Sequence, residues 1–320
     1  MTSSPLNAIE RGLEAGDTIV IDGATGTELE RRGAAMNEKA WCAMASLTDP
    51  ALLRQVHEDY IRAGARVITA NTFSTNRIML EPAGLGARFE ALNRRAVELA
   101  REARERTGRV ECVAVAGSMS HQLPIVAGAD QRDASAVPPP DVAAARFREM
   151  AALLADSGVD LILMEMMSDP QLANPAISAA VATGLPVWVG CSVRPGPSGA
   201  PLAHTRPELS AAELLGHIAL DGVRVVGVMH SQVDTIAPMI ELLKDRWSGP
   251  LMAYPDSGMF KMPHWQFVDI IPVDDFVAQA RAWVAAGVQI VGGCCGLGIE
   301  HIEALSASLQ PSGSAKVGGS

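Results

Sequence analysis

The feature that most constrains this fold is an alternation of short apolar runs with longer helical patterns, repeated eight times. Parallel sheets need such crossover helices, so the alternation predicts an α/β protein. Helical patterns, several opened by a proline as in Asp49-Pro50 and Asp169-Pro170, separate the strands, and one of them covers 207–220. The strands are predicted at 18–22, 66–71, 111–117, 159–165, 186–192, 223–230, 250–254 and 288–293.

Several predicted strands are apolar at consecutive positions, as in Leu161-Ile162-Leu163-Met164. This pattern is typical of parallel strands buried on both faces. Eight β-then-α units without a break in composition predict a single (β/α)8 TIM barrel over residues 17–309. We interpret residues 1–16 as an N-terminal extension and the Ser- and Gly-rich residues 310–320 as a disordered tail.

Charge and composition exclude several function classes. The net charge is −10, from 26 basic and 36 acidic side chains, and no long basic run offers a surface for nucleic acid. The chain has neither a secretory signal pattern nor an apolar stretch of membrane-spanning length, so we expect a soluble, cytoplasmic protein with no membrane partner. Five cysteines, an odd number, favour thiols or metal ligands over a disulfide framework. The oligomeric state is left open.

Functional groups of such barrels gather where the strands end, because the βα loops form one mouth there. The proline-rich stretch 118–141 is predicted to be a long loop over this face. The polar residues expected around the mouth are Asp22, Asn71, Thr72, Ser118, Glu165, Ser192, His230, Asp256, Ser257, Cys294 and Cys295.

The most specific motif is Gly292-Gly293-Cys294-Cys295-Gly296 at the end of the eighth strand. Neighbouring side chains of a strand point to opposite faces, but flanking glycines let the backbone turn both sulfurs to one ion. Two thiolates at one point suit zinc. The alternative is a glycine-rich phosphate cradle, which leaves the cysteine pair unexplained. His230 is a candidate third ligand, or a structural hydrogen-bonding residue.

Three acidic residues carry open alternatives. Asp22 could accept a substrate ammonium, or form a turn or helix cap. Glu165 ends an apolar strand where an unpaired carboxylate would be costly, so it either has a functional role or forms a structural ion pair. Asp256 could bind substrate or shape its loop. Cys112 and Cys191 lie within or beside apolar strands and are interpreted as small hydrophobic residues, and Cys42 has no partner motif nearby, so none of the three is expected to be a ligand.

Together the motifs resemble the zinc-dependent homocysteine S-methyltransferase family, which includes betaine-homocysteine methyltransferase and the homocysteine-binding domain of methionine synthase. The resemblance covers about residues 17–309. Its carriers are 22–29, 70–73, 164–165, 254–258 and 292–296. It implies zinc ligation by Cys294 and Cys295, and contacts of Asp22 and Glu165 with the amino acid part of homocysteine.

The sixth-strand motif Gly227-Val228-Met229-His230 departs from the Gly-Val-Asn-Cys of the family. Neutral imidazole is a good zinc ligand, so a site made of two cysteines and a histidine is chemically reasonable. The loop after the third strand also lacks the Gly-Pro-Tyr-Gly pattern of the family. From the cysteine pair and this histidine we predict metal ligation by His230, Cys294 and Cys295. Substrate binding is assigned to Asp22, Gly23, Asn71, Thr72, Glu165, Ser192 and Asp256.

The resulting hypothesis is direct displacement, with a zinc-bound thiolate taking a methyl group from an onium donor such as S-methylmethionine, S-adenosylmethionine or betaine. Homocysteine would become methionine, with no catalytic residue beyond the metal-activated thiolate and no redox cofactor. Tyr254 and Trp265 are candidate onium contacts. The alternatives are transfer with another thiol or a specialised donor, a metal-dependent hydrolase, and a non-catalytic barrel that binds metal or an amino acid.

Overall fold

A computed structural model describes residues 4–124, 126, 132–261 and 266–309. Eight parallel strands form a barrel, in the spatial order β1-β8-β7-β6-β5-β4-β3-β2, and a bridge between Ile21 and Val67 joins its two ends. The predicted (β/α)8 architecture is confirmed. The strands are β1 Ile19–Val20, β2 Val67–Ala70, β3 Ala114–Ser120, β4 Leu161–Met167, β5 Val187–Cys191, β6 Val225–Gln232, β7 Leu251–Asp256 and β8 Val288–Val291.

Helices surround the barrel and also form part of its loops. The α-helices are Pro5–Glu14, Thr25–Arg31, Ala45–Thr48, Pro50–Arg62, Arg77–Leu80, Phe89–Arg106, Pro140–Ser157, Pro170–Val181, Ala211–His217, Val233–Lys244, Val273–Ala285 and Ile299–Leu309. Two 3-10 turns cover Gly86–Arg88 and Ala134–Ala136. None of the helices in the described ranges combines the length and the apolar character needed to cross a membrane.

Alternation along the strands divides the core into a barrel interior and a layer beneath the helices. Leu161 and Leu163 belong to the interior, whereas Ile162 and Met164 pack under the helices. The N-terminal helix adds three apolar side chains to the interior cluster, Leu6, Ile9 and Leu13. Burying each stabilises the fold by about 1.5–3 kcal/mol at most.

Two local differences from the predicted elements have physical causes. β3 begins and ends three residues later than predicted, because Val113 follows a turn held by its N–H bond to the carbonyl of Arg109. The helix predicted over 207–220 begins only at Ala211. A capping box between Ser210 and Glu213 sets this start, after the chain has formed the hairpin of Val193–Pro195 with Pro201–Ala203. A second hairpin pairs Met259–Lys261 with Gln266–Val268. The predicted tail, 310–320, lies outside the described residues.

Candidate active site

Glycines at the end of β8 allow the chain to place both cysteines at the mouth. A Cβ at Gly292 would lie 2.5 Å from Ile21 Cγ2 and 2.8 Å from two backbone oxygens, so only glycine fits. Gly296 has φ +82°, a region that favours glycine. Cys294 is anchored where its N–H donates to the carbonyl of Pro255 at 2.6 Å. The Sγ atoms of Cys294 and Cys295 lie 3.8 Å apart.

His230 reaches the same point because β6 is irregular. Regular alternation would point His230 away from the interior, since Met229 faces it. The pairing of β6 with β7 shifts between Met229 and Gln232, and His230 has φ +47°. Its Nδ1 lies 3.0 Å from Cys294 Sγ, and its Nε2 lies 2.9 Å from Glu165 Oε2. A left-handed residue costs roughly 1–2 kcal/mol, and such strain concentrates at functional sites.

The cysteine pair and His230 shift one another's pKa values. Burial alone would lower the pKa of His230, but hydrogen bonds to Cys295 and Glu165 and their negative charges raise it to about 10. The pKa of Cys295 is lowered to about 6 by hydrogen bonds from Cys294 and His230 and by the charge of His230, against its burial. Burial raises the pKa of Cys294. These shifts favour negative charge on Cys295 and positive charge on His230.

The donor chemistry of the cluster fits zinc. Two Zn–S bonds of roughly 2.3 Å at a tetrahedral angle separate the sulfurs by about 3.8 Å, the observed spacing of Cys294 and Cys295. The second nitrogen of His230 bonds a carboxylate, as metal-bound imidazoles usually do. Across the ranges described, no group of three or more His, Cys, Asp or Glu side chains is arranged to hold a metal ion. Cys294 Sγ and His230 Nδ1 lie within hydrogen-bonding distance of each other instead.

A small cavity beside the cysteines has one buried acid in its wall and a second behind that wall. Gly23, Asn71 and Glu165 line it together with Cys294 and Cys295. Asp22 lies behind its wall and accepts hydrogen bonds from the Thr69 N–H at 2.6 Å, the Thr69 hydroxyl at 3.0 Å and the Tyr254 hydroxyl at 3.4 Å.

Burial raises the pKa of Asp22 to about 7 although Thr69 stabilises its charge, and the negative charge of Glu165 raises it further. Two neighbouring acids of this kind, Asp22 and Glu165, suit a bound ammonium group, because the ammonium charge offsets their mutual repulsion.

A second, larger cavity of about 420 Å³ opens from the cluster toward solvent. Its volume falls within the range of small-molecule sites. His230, Cys295 and Asp256 line its inner end, and Trp41 and Phe73 form part of its wall. The rings of Phe73 and His230 lie 5.1 Å apart. Burial and the charge of Cys295 raise the pKa of Asp256 to about 7.

Besides Asp22, two more residues assigned to substrate binding, Ser192 and Thr72, lie outside the walls of both cavities. Ser192 donates to the carbonyl of Met229 at 2.7 Å, next to His230. Thr72 donates to the carbonyl of Ser118 at 2.8 Å. Both side chains hold neighbouring strand ends together. In the sequence, a serine or threonine with this structural role looks the same as one that binds substrate.

Cys42 lines the small cavity, and its thiol donates to Asn71 Oδ1 at 3.1 Å. No sequence motif predicts that Cys42 lies at the cavity, because it belongs to an irregular loop. Cys191 is buried in β5, and the thiol of Cys112 donates to the carbonyl of Arg109 at 3.7 Å, so neither joins the cluster. The candidate onium contact Trp265 lies outside the described residues.

A family model and several known proteins are similar to this chain. A family model described as Homocysteine S-methyltransferase matches residues 19–309. The Homocysteine S-methyltransferase YbgG of Bacillus subtilis is 29% identical over 94% of this chain and 98% of its own length. The selenocysteine methyltransferase of Astragalus bisulcatus is also 29% identical, over 95% of this chain and 97% of its own. The metallated form of the homocysteine methyltransferase MmuM from Escherichia coli superposes with a TM-score of 0.73 at 25% identity, covering 95% of this chain and 99% of that one.

Proposed function

Since this chain belongs to the homocysteine S-methyltransferase family and is a methyltransferase, we propose that it moves a methyl group from an onium donor to the sulfur of homocysteine, giving methionine. One observation carries the proposal. The cluster of Cys294, Cys295 and His230 stands between a small cavity, which Glu165 lines with Asp22 behind its wall, and a larger cavity open to solvent. A thiol acceptor with an ammonium group and a methyl donor could therefore meet at the sulfurs from opposite sides.

We propose zinc as the metal, held by Cys294, Cys295 and His230. When bound, zinc would keep the acceptor thiol deprotonated at neutral pH. Glu165 accepts the Nε2 proton of His230 and so directs Nδ1 toward the ligand position. All five cysteines are free thiols, which suits a reducing compartment such as the cytoplasm.

The acceptor would be oriented by its ammonium group. Glu165 lines the small cavity, and the fully buried Asp22 lies behind its wall, where it accepts hydrogen bonds from Thr69 and Tyr254. An ammonium beside Glu165 gains a charge-assisted hydrogen bond that a simple thiol without an amino group cannot make, and Asp22 adds negative charge behind it. The acids thereby favour an amino acid thiol over a smaller mercaptan.

The transfer itself is a displacement at the methyl carbon. The acceptor sulfur forms a bond to carbon as the bond from carbon to the donor's sulfonium sulfur or ammonium nitrogen breaks. The bonding pair stays on the leaving atom, which becomes neutral. The protein contributes alignment of the two reactants, and no oxidant, reductant or proton donor is consumed.

The experiment is incubation of the zinc-loaded protein with homocysteine and separate donors, with methionine measured by mass. S-methylmethionine, S-adenosylmethionine, betaine and dimethylsulfoniopropionate form the panel. We expect methionine with at least one donor, and a large loss of product in Cys294→Ser. Absence of methionine with every donor contradicts homocysteine as the acceptor. Hydrolysis of a donor without thiol consumption would instead favour a metal-dependent hydrolase.

A further inference from the structure

His121 is a buried histidine that the proposed mechanism does not use. It directly follows Ser120, which pairs with Glu165 between β3 and β4, and only 2% of its surface is exposed. It belongs to the loop after β3, where this chain lacks the Gly-Pro-Tyr-Gly pattern of the family. The residue therefore lies close to the site, but no role for it can be carried over from the family.

The ring of His121 holds the turn that follows β4. Its Nε2 accepts the N–H of Ser168 at 3.0 Å and the N–H of Asp169 at 3.3 Å. Because backbone N–H groups can only donate, Nε2 carries no proton and the neutral ring is protonated at Nδ1. Burial lowers the pKa of His121, although a hydrogen bond to its own backbone and the charge of Asp169 oppose this. An imidazolium would lose both bonds to the turn.

The same turn is also held from the region after β5. The hydroxyl oxygens of Ser168 and Thr205 lie 2.8 Å apart, and a guanidinium nitrogen of Arg206 donates to Asp169 Oδ1 at 3.1 Å. Asp169 Oδ1 also accepts the N–H of Gln171 at 3.0 Å and so caps the helix Pro170–Val181. The turn is thus joined to the end of β3 by His121 and to the chain after the β5 hairpin by two other side chains.

The end of β4 is irregular, so its geometry depends on these contacts. Its pairing with β5 shifts between Met164 and Met167, and Met166 has φ +62°. A non-glycine residue in this region persists only where its surroundings hold it. Glu165 directly precedes Met166, and its Oε2 lies 2.9 Å from His230 Nε2. A shift of the turn would therefore move the carboxylate relative to the imidazole.

We propose that His121 is a positioning residue, which fixes the end of β4 by accepting two N–H groups and thereby holds the carboxylate of Glu165 behind His230. The inference rests on the proposed function and adds a residue outside both cavity walls on which zinc binding and acceptor binding depend. Without the ring nitrogen, two N–H groups of a buried turn lose their acceptor, and the turn has to move to satisfy them.

The test compares His121→Leu, which removes the acceptor, with His121→Gln, whose Oε1 can take the place of Nε2. His121→Leu should weaken zinc binding about threefold to tenfold, less than the loss of a direct partner of a metal ligand. At saturating zinc it should raise the KM for homocysteine with little change in kcat. His121→Gln should remain close to wild type in zinc affinity and KM. His57→Leu is the matched control and should change neither, because His57 is a buried histidine of the outer helix Pro50–Arg62.

An NMR spectrum of the imidazole rings tests the same contact in wild type, without any variant that has to fold. The His121 signals, identified by their absence in His121→Gln, should show a proton on Nδ1 and a pKa below the ordinary value of about 6.5. A proton on Nε2, wild-type zinc affinity in His121→Leu, or equal losses in His121→Leu and His121→Gln would each overturn the proposal. If no donor yields methionine, the proposed transfer fails, whereas the order of zinc affinities still decides the role of His121. Absence of zinc binding in wild type refutes both.

Discussion

Glu165 contacts His230 and also lines the small cavity, so its effect on zinc binding and its effect on homocysteine binding can be measured separately. Its Oε2 lies 2.9 Å from the Nε2 of His230, and its side chain also lines the small cavity. Glu165→Gln keeps the shape and a hydrogen-bond acceptor but removes the charge. Loss of such a partner behind a metal ligand typically weakens metal binding tenfold to hundredfold, or about 1.4–2.7 kcal/mol.

Asp22→Asn is the matched comparison. Asp22 contacts Thr69 and Tyr254 and makes no hydrogen bond to His230 or either cysteine of the cluster. We therefore expect unchanged zinc affinity in Asp22→Asn and weaker zinc binding in Glu165→Gln. Both variants should raise the KM for homocysteine about tenfold or more, because each removes one of the two carboxylates that we propose balance the ammonium charge.

Zinc affinity is measured by competition with a chromophoric chelator, and KM is measured at saturating zinc so that metal loss does not enter. The reasoning is refuted if Glu165→Gln binds zinc as tightly as wild type, or if Asp22→Asn weakens zinc binding to the same degree. An unchanged KM for homocysteine in both variants would show that Asp22 and Glu165 do not bind the acceptor.

Two further predictions concern stability. Gly292→Ala should lower the unfolding free energy by about 1–3 kcal/mol, since its Cβ would overlap Ile21, whereas Gly216→Ala on an exposed helix turn should not destabilise in the same urea titration. Burial lowers the pKa of His57 from 6.5 to about 4, and neither ring nitrogen has a hydrogen-bond partner among the described residues. The contribution of neutral His57 to the unfolding free energy is constant above pH 6.5. It is lost as the pH falls toward 4, by up to about 3 kcal/mol. His57→Leu should flatten this acid loss, and an unchanged slope of unfolding free energy against pH would contradict it.

Sequence periodicity was sufficient to predict the barrel, because doubly buried strands leave a simple apolar signal. All eight strands formed within three residues of their predicted starts. The placement of Glu165 also follows from periodicity, since Leu161 and Leu163 face the interior and Glu165 continues that face. The glycine motif likewise predicted a turn that brings Cys294 and Cys295 together.

The placement of His230 could be proposed from its strand end, but its direction could not. Because Met229 faces the barrel interior, regular alternation would point the side chain of His230 away from the interior. The irregular pairing of β6 with β7 turns it toward the cysteines instead. Sequence reasoning also could not place Arg132 and Arg194 in the wall of the larger cavity, because they lie in loops far apart in the chain and no spacing rule relates them.

The central claim is that Cys294 is a zinc ligand. Metal content per chain is measured by elemental analysis of wild type, Cys294→Ser and the control Cys191→Ser, all purified with zinc present. Cys191 is fully buried in β5 and burial raises its pKa to about 12, so it should not bind metal. The account predicts one zinc per chain in wild type and Cys191→Ser and almost none in Cys294→Ser. A Cys294→Ser protein that keeps a full equivalent of zinc would contradict it.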